Sequence, residues 1–159
     1  LRTAGCGRII SVDLEDDRLT IARNLGADDV LNSQNNNVPS MIREMTGEAG
    51  ADIVIEAVGV SATVCMSIDS VRKGGSITLI GNITPDINFP LQSVVTREIT
   101  LYGSCASAND YPACLELMSR GAIQTSPIIS ASVPLERGVE MFDRLYAKEP
   151  GLTKVILNP

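Results

Sequence analysis

Arg8-Ile9-Ile10-Ser11-Val12-Asp13 decides the fold. Its aliphatic run is that of a buried strand, and it ends on an acid. Glu15, Asp16 and Asp17 follow, acids suited to the positive end of a helix dipole. The helix they open spans Asp16 to Leu25 and stops at Gly26, a residue free to take the left-handed conformation that closes helices. The unit is therefore a strand, an acid at its carboxyl end, and a returning helix. Ligands of open parallel sheets sit at the carboxyl ends of strands, so Asp13 is the first candidate binding residue.

The alternation continues outward. Asp29-Val30-Leu31 is a short strand, residues 32–37 a polar loop, and Val38 to Thr46 a helix stopped by Gly47. Asp52 to Val58 is a strand whose consecutive Ile53, Val54 and Ile55 predict burial on both faces. Ser61 is expected to cap the next helix, with Val64, Ile68 and Val71 as its buried stripe. That helix is expected to end at Gly74-Gly75, with Arg72-Lys73 in its last turn complementing the dipole. Ser76 to Ile80 is a strand closed by Gly81, and residues 82–97 are irregular or short elements. A strand over Ile99 to Tyr102, a helix from Asp110 to Arg120, a strand over Ile128 to Val133, a helix from Leu135 to Ala147 and a strand over Lys154 to Leu157 complete the chain. Val139, Phe142 and Tyr146 share one face of the last helix. Strands separated by helices imply right-handed crossovers and a mostly parallel sheet: an α/β, doubly wound, Rossmann-type architecture.

Composition narrows the function. With 159 residues, 44% hydrophobic and 20% charged, the chain is expected to be one globular domain with an aliphatic core, since only 3% of residues are aromatic. The net charge of −6, without a Lys/Arg cluster, argues against nucleic acid, which demands a basic patch. No apolar run reaches the ~20 residues of a membrane-spanning helix, and no secretory signal is evident. Cys6, Cys65, Cys105 and Cys114 form no C-x-x-C pair, and there is no histidine. No zinc site is expected; reduced thiols in a cytoplasmic protein are. Leu1 in place of Met suggests a partial chain.

Strand ends select the remaining candidates: Ala57-Val58-Gly59, Ile80-Gly81-Asn82, and Gly103-Ser104-Cys105-Ala106. Asp13 has two readings. A carboxylate at that place accepts both hydroxyl protons of an adenosine ribose and repels a 2′-phosphate, selecting NAD over NADP; alternatively it is a solvated acid capping the helix. Glu56 follows a buried run, where a carboxylate must be paired or hydrogen-bonded, and nearby backbone N–H groups are the expected donors in preference to a general-base role. Cys105, with no local base or metal pattern, reads as a small packing residue. Only twelve residues precede Asp13, whereas the glycine fingerprint for pyrophosphate lies about 20 residues before that acid. Gly5-Cys6-Gly7 precedes a strand instead of following one, so it is a turn. The first, central strand of the 3-2-1-4-5-6 order is thus expected to be missing, leaving residues 1–159 an incomplete NAD-binding domain with two unpaired edges, prone to poor stability or non-native pairing.

Five collinear segments carry a resemblance: RIISVDLEDDRLTIARNLGADDVLN at 8–32, GADIVIEAVG at 50–59, GGSITLIGN at 74–82, REITLYGS at 97–104 and KVILNP at 154–159. Together they resemble the coenzyme-binding, C-terminal part of a zinc-type medium-chain alcohol dehydrogenase, closest to the sorbitol/L-iditol and threonine dehydrogenase branch. The resemblance implies that Asp13 binds the adenosine ribose, with Arg18 beside it. It implies that Ala57, Val58 and Gly59 pack along the adenosine and cofactor ribose, and that Ile80, Gly81 and Asn82 line the nicotinamide. Backbone groups at Ser104 and Ala106, with Cys105 between them, meet the carboxamide. Residues 83–102 resemble the stretch through which subunits associate into a dimer or tetramer.

The implied activity is hydride transfer from an alcohol or polyol to NAD. The catalytic domain and its zinc ligands fall outside this sequence, so the chain alone is expected to be inactive. Ala106-Ser107 stands where polyol dehydrogenases carry an Arg-aromatic pair contacting substrate, which puts sorbitol itself in doubt. Other readings stay open. A zinc-free quinone reductase-like member is one, although Asp13 argues against the NADP such enzymes favour. A non-catalytic nucleotide-binding module is another. A different Rossmann-like enzyme, such as a methyltransferase, fits residues 74–82 and 97–104 poorly.

Overall fold

A computed structural model describes residues 1–159. Strands and helices alternate: β1 (Ile10–Asp13), α1 (Asp16–Asn24), β2 (Asp29–Asn32), α2 (Val38–Met45), β3 (Ala51–Glu56), α3 (Ser61–Ser70), β4 (Val71–Leu79), α4 (Leu91–Thr96), β5 (Thr100–Gly103), α5 (Asp110–Ser119), β6 (Ile129–Pro134), α6 (Gly138–Tyr146) and β7 (Lys154–Asn158). Every strand pairing is parallel, as βα crossovers require. The strands form three sheets, β1-β2, β3-β4-β5 and β6-β7. The chain divides into two compact units, Leu1–Asn32 with Asn109–Pro159, and Ser33–Ala108.

In the first unit β1 lies beside β2, with Ile10 opposite Asp29 and Asp13 opposite Asn32. Helix α1 packs on both strands, and Leu19 and Leu31 are buried. The amino-terminal turn is tied down by Arg2, whose guanidinium donates to the carbonyls of Cys6, Gly7 and Gly26 and to Asp28 at 2.6 Å. Strands β6 and β7 carry α6, which buries Gly138 and Met141. A Cβ on Gly138 would stand 3.3 Å from Leu157 Cδ1, so the missing side chain lets helix and strand approach closely. The apolar face of α6 named from the sequence turns outward: Val139, Phe142 and Tyr146 are 77%, 69% and 93% exposed. Helix α5 likewise leaves Tyr111, Leu115 and Met118 exposed.

The second unit has one core. Val64, Ile68, Val71, Ile77 and Ile99 are buried, with Val54, Leu79, Ile87, Val94 and Leu101 packed against them. Period-two alternation explains which strand residues contribute. Val54 pairs with Ile77, and Ile77 with Leu101; these point to one face, under α3. The opposite face carries Ile53, Ile55 and Tyr102, which are exposed. The expectation that both faces of residues 53–55 are covered is therefore wrong. β3 has a single strand neighbour and a single covered face.

The glycine pair after α3 was also misread. α3 ends at Ser70, and Val71 is already extended and begins β4. Ala51 pairs with Val71 but Ile53 pairs with Ser76, so Arg72–Gly75 bulges out of the ladder. Gly74 adopts φ +67° there. Gly75 is packed so tightly that a Cβ would meet the Asp52 carbonyl oxygen at 2.9 Å. Arg72 and Lys73 thus cap nothing: Arg72 meets Asp52 at 2.6 Å and Lys73 meets Glu98 at 3.5 Å. The negative end of α3 is met by two other arginines. Arg43 of α2 donates to the Asp69 carbonyl at 3.0 Å, and Arg97 donates to the carbonyls of Ile68, at 2.8 Å, and Val71. At the other end Ser61 is the first helical residue and Val60 the cap; the Thr63 hydroxyl donates to the Val60 carbonyl at 3.0 Å.

Arg97→Met should cost about 1.5–3 kcal/mol of unfolding free energy, the range for hydrogen bonds to a charged group. Lys73→Met should cost about 0–1 kcal/mol, as exposed ion pairs do. Urea denaturation of both variants checks the order; equal losses would contradict the capping role of Arg97.

A second expectation concerns the end of α6. Arg144 donates to Glu149 twice, at 2.6 and 2.7 Å, and these hydrogen bonds hold the Glu149 carboxyl below its ordinary value. Its stabilising contribution is thus present above the unfolded glutamate value of about 4.3 and is lost as pH falls through the lower folded value. The stability difference between wild type and Glu149→Gln should be present near pH ~7 and fade by pH ~2. A difference independent of pH would rule out the carboxylate as its source.

Candidate cofactor-binding site

Asp13 closes β1. Its Oδ1 accepts the N–H groups of Leu14 at 2.7 Å and Glu15 at 3.0 Å, as an Asx turn leading into α1. Its Oδ2 has no backbone donor; Arg18 Nη1 lies 4.0 Å away. The turn stops short of the helix, whose N-cap is Glu15 without a side-chain bond, so Asp13 orders the approach to α1 and does not cap it.

In the second unit the ends of β3 and β4 are assembled around one buried acid. Glu56, the last residue of β3, is 3% exposed. Its Oε1 accepts the N–H groups of Val58 and Gly59, each at 2.9 Å, and Oε2 lies 3.1 Å from the Gly59 nitrogen. The expectation that backbone donors satisfy this carboxylate is met. Its main-chain oxygen accepts from Ile80 at 2.8 Å and Gly81 at 3.2 Å, so one residue fixes the loops after both β3 and β4.

Those loops touch backbone to backbone. Gly59 adopts φ +81°, and a Cβ there would stand 2.2 Å from the Gly81 carbonyl carbon. A Cβ on Gly81 would stand 2.1 Å from the carbonyl carbon of Val58. No side chain fits at either place. Thr84 N–H reaches back to the Gly59 carbonyl at 3.0 Å, and Ser104 N–H donates to Leu79 at 2.9 Å, attaching the loop after β5. Ala57, Val58, Ile80, Asn82, Ser104, Cys105 and Ala106 are exposed around these contacts. Ala106 sits at φ +55°, a conformation unusual for a residue with a side chain.

Asp13 and Arg18 therefore lie together in the first unit, and residues 57–59, 80–82 and 104–106 in the second. The Gly59–Gly81 contact had no signal in the sequence beyond two glycines at strand ends; their mutual approach is a tertiary fact. No three His, Cys, Asp or Glu side chains converge as a metal site. The four cysteines are unpaired. No helix is long and apolar enough to cross a membrane.

Known proteins share this chain's sequence pattern and fold. Residues 1–120 match the sequence model of the family described as zinc-binding dehydrogenase. L-idonate 5-dehydrogenase of Vitis vinifera is 30% identical over 99% of this chain, and sorbitol dehydrogenase of Bacillus subtilis is 30% identical over 98%. In each the match takes up 44% of the relative, so the chain spans less than half the length of these proteins. Among solved structures, the alcohol dehydrogenase TADH of Thermus sp. ATN1 superposes with a TM-score of 0.88 at 30% identity, covering 99% of this chain and 46% of that one. The 2R,3R-butanediol dehydrogenase of Bacillus subtilis superposes at 0.90 with 25% identity, covering 100% of this chain and 46% of that one. The α/β fold of parallel strands is that of these dehydrogenases, and the chain belongs to the zinc-binding dehydrogenase family.

Proposed function

We propose that the chain supplies the NAD-binding part of an NAD-dependent, zinc-type alcohol or polyol dehydrogenase of the cytoplasm, which moves a hydride from a primary or secondary alcohol to NAD. The observation that carries this reading is Asp13. It is a carboxylate at a strand's carboxyl end with one oxygen held by two backbone N–H groups and the other left for a ribose hydroxyl. Its charge disfavours a 2′-phosphate. The residues present fit the adenosine half of the cofactor. Arg18 lies beside the same oxygen.

The other roles follow strand by strand. Ala57, Val58 and Gly59 pack along the adenosine and cofactor ribose; Ile80, Gly81 and Asn82 line the nicotinamide. Backbone groups at Ser104 and Ala106, flanking Cys105, orient the carboxamide. When bound, NAD supplies the hydride acceptor; this chain's residues bind and orient. In the proposed whole enzyme zinc would polarise the alcohol, held by residues other than these, and the 159-residue chain alone is expected to be inactive. Substrate contact falls to other residues too, with Ala106-Ser107 offering no bulky or charged group. Residues 83–102 are proposed as the surface joining copies into a dimer or tetramer; Ile83, Leu91 and Val95 are exposed there.

Saturation-transfer NMR on the chain tests the reading. NAD should show ribose contacts and NADP should not. Asp13→Asn should weaken NAD binding about tenfold, the cost of losing a charged hydrogen-bond acceptor. Equal signals from NAD and NADP, or indifference to Asp13→Asn, would overturn the assignment.

A further inference from the structure

We propose that Glu56 selects the oxidation state of the cofactor, favouring the oxidised, cationic nicotinamide over the reduced, neutral one. The proposal rests on the reading above, in which Val58 and Gly59 pack along the adenosine and cofactor ribose and Ile80 to Asn82 line the nicotinamide.

Three observations carry it. The carboxylate is 3% exposed, so water screens it poorly. Its hydrogen bonds come only from the neutral amides of Val58 and Gly59, and none of the chain's ion pairs includes it. A negative charge without a cation therefore lies inside the loop junction. Finally, that junction ties the carboxylate, through Gly59, to the loop proposed to line the nicotinamide. Glu56 holds Val58 and Gly59 by its side chain and Ile80 and Gly81 by its main chain, and Gly59 meets Gly81 with no side chain between them.

Hydrogen bonds stabilise a buried carboxylate without neutralising it. A group whose only task was to organise the loop need not be charged, since an amide carbonyl also accepts two N–H bonds. The charge distinguishes two ligands that differ at one ring by one unit. Unit charges a few ångströms apart, under the partial shielding of a protein surface, interact strongly enough to shift a binding ratio by about tenfold or more. Hydride transfer exchanges the two forms, so the same bias holds the substrate form of the cofactor and loosens the product form.

The test is calorimetric titration of the chain with NAD⁺, NADH and ADP-ribose, in wild type, Glu56→Gln and Glu56→Asp. Gln keeps an acceptor and removes the charge; Asp keeps the charge at shorter reach. The ratio of NADH to NAD⁺ dissociation constants should fall about tenfold in Glu56→Gln and stay within about twofold of wild type in Glu56→Asp, while ADP-ribose, which carries no nicotinamide, reports any change in the shape of the loop. An unchanged ratio in Glu56→Gln overturns the proposal while leaving the cofactor reading intact. Equal shifts in both variants also overturn it, because they trace the effect to loop geometry. Absence of binding by wild type to any of the three ligands overturns the cofactor reading and this proposal together. Should Glu56→Gln not fold, Glu56→Asp decides: a ratio held within about twofold despite altered hydrogen bonds supports the charge, and a shifted ratio overturns it.

Discussion

The contact between Gly59 and Gly81 governs the second unit. Two loops leaving neighbouring strands meet at main-chain separation, which is possible only where neither carries a Cβ. Glu56 can then serve both, its side chain facing the first loop and its carbonyl the second. The register of β3 on β4 puts Glu56 opposite Leu79, so the acid sits where both strands end. Strand pairing, loop shape and the polar interior are one constraint. A side chain at either glycine would separate the loops, strip the carboxylate of its donors and leave a buried charge unsatisfied, a state that costs several kcal/mol or more.

The outer strands tell a complementary story. β1 and β3 each have one neighbour, and β3 shows Ile53 and Ile55 to solvent. Apolar residues also face outward at regular helical spacing on α5 and α6. Isolated exposed apolar side chains are normal; stripes of them mark surfaces that something covers. The chain spans less than half of its relatives, and on the proposed reading the covering material belongs to the remainder of such a protein. The hydrophobic pattern then records contacts of a larger molecule. The residues that stay buried, Val64, Ile68, Val71 and Ile77, find their partners locally, on a helix and strands adjacent in sequence.

That distinction explains what was legible in the sequence. Val64 and Ile68 were readable because a helical period over a single neighbouring sheet has one solution, whereas Val71, read as the next turn of the same helix, is buried as the first residue of β4. The βα alternation and the backbone bonds of Glu56 were readable because both follow from local rules. The burial of Ile53 and Ile55 was misjudged because an apolar run states a preference and not the presence of a partner. Gly74-Gly75 was misjudged for a different reason. Glycines stop helices and also make bulges, and only the packing of Gly75 against Asp52 separates the two. The capping of α3 by Arg43 and Arg97 joins residues 26 or more positions from their targets, and no local pattern announces it.

Asp13 and Glu56 show how one residue class serves opposite ends. Both are acids at the carboxyl end of a strand, and both accept backbone N–H groups from the residues that follow. Asp13 is short, and its turn occupies one oxygen, so the second remains at the surface. Glu56 is one methylene longer and curls beneath its loop, where both oxygens are within reach of Gly59. Reach therefore separates the two: on the proposed reading the shorter acid presents its charge to a ligand through a hydrogen bond, whereas the longer one is spent on the loop it shapes. Their interchange would not be conservative at either place, since Glu at 13 would overshoot its turn and Asp at 56 would draw the carboxylate away from the Val58 and Gly59 N–H groups.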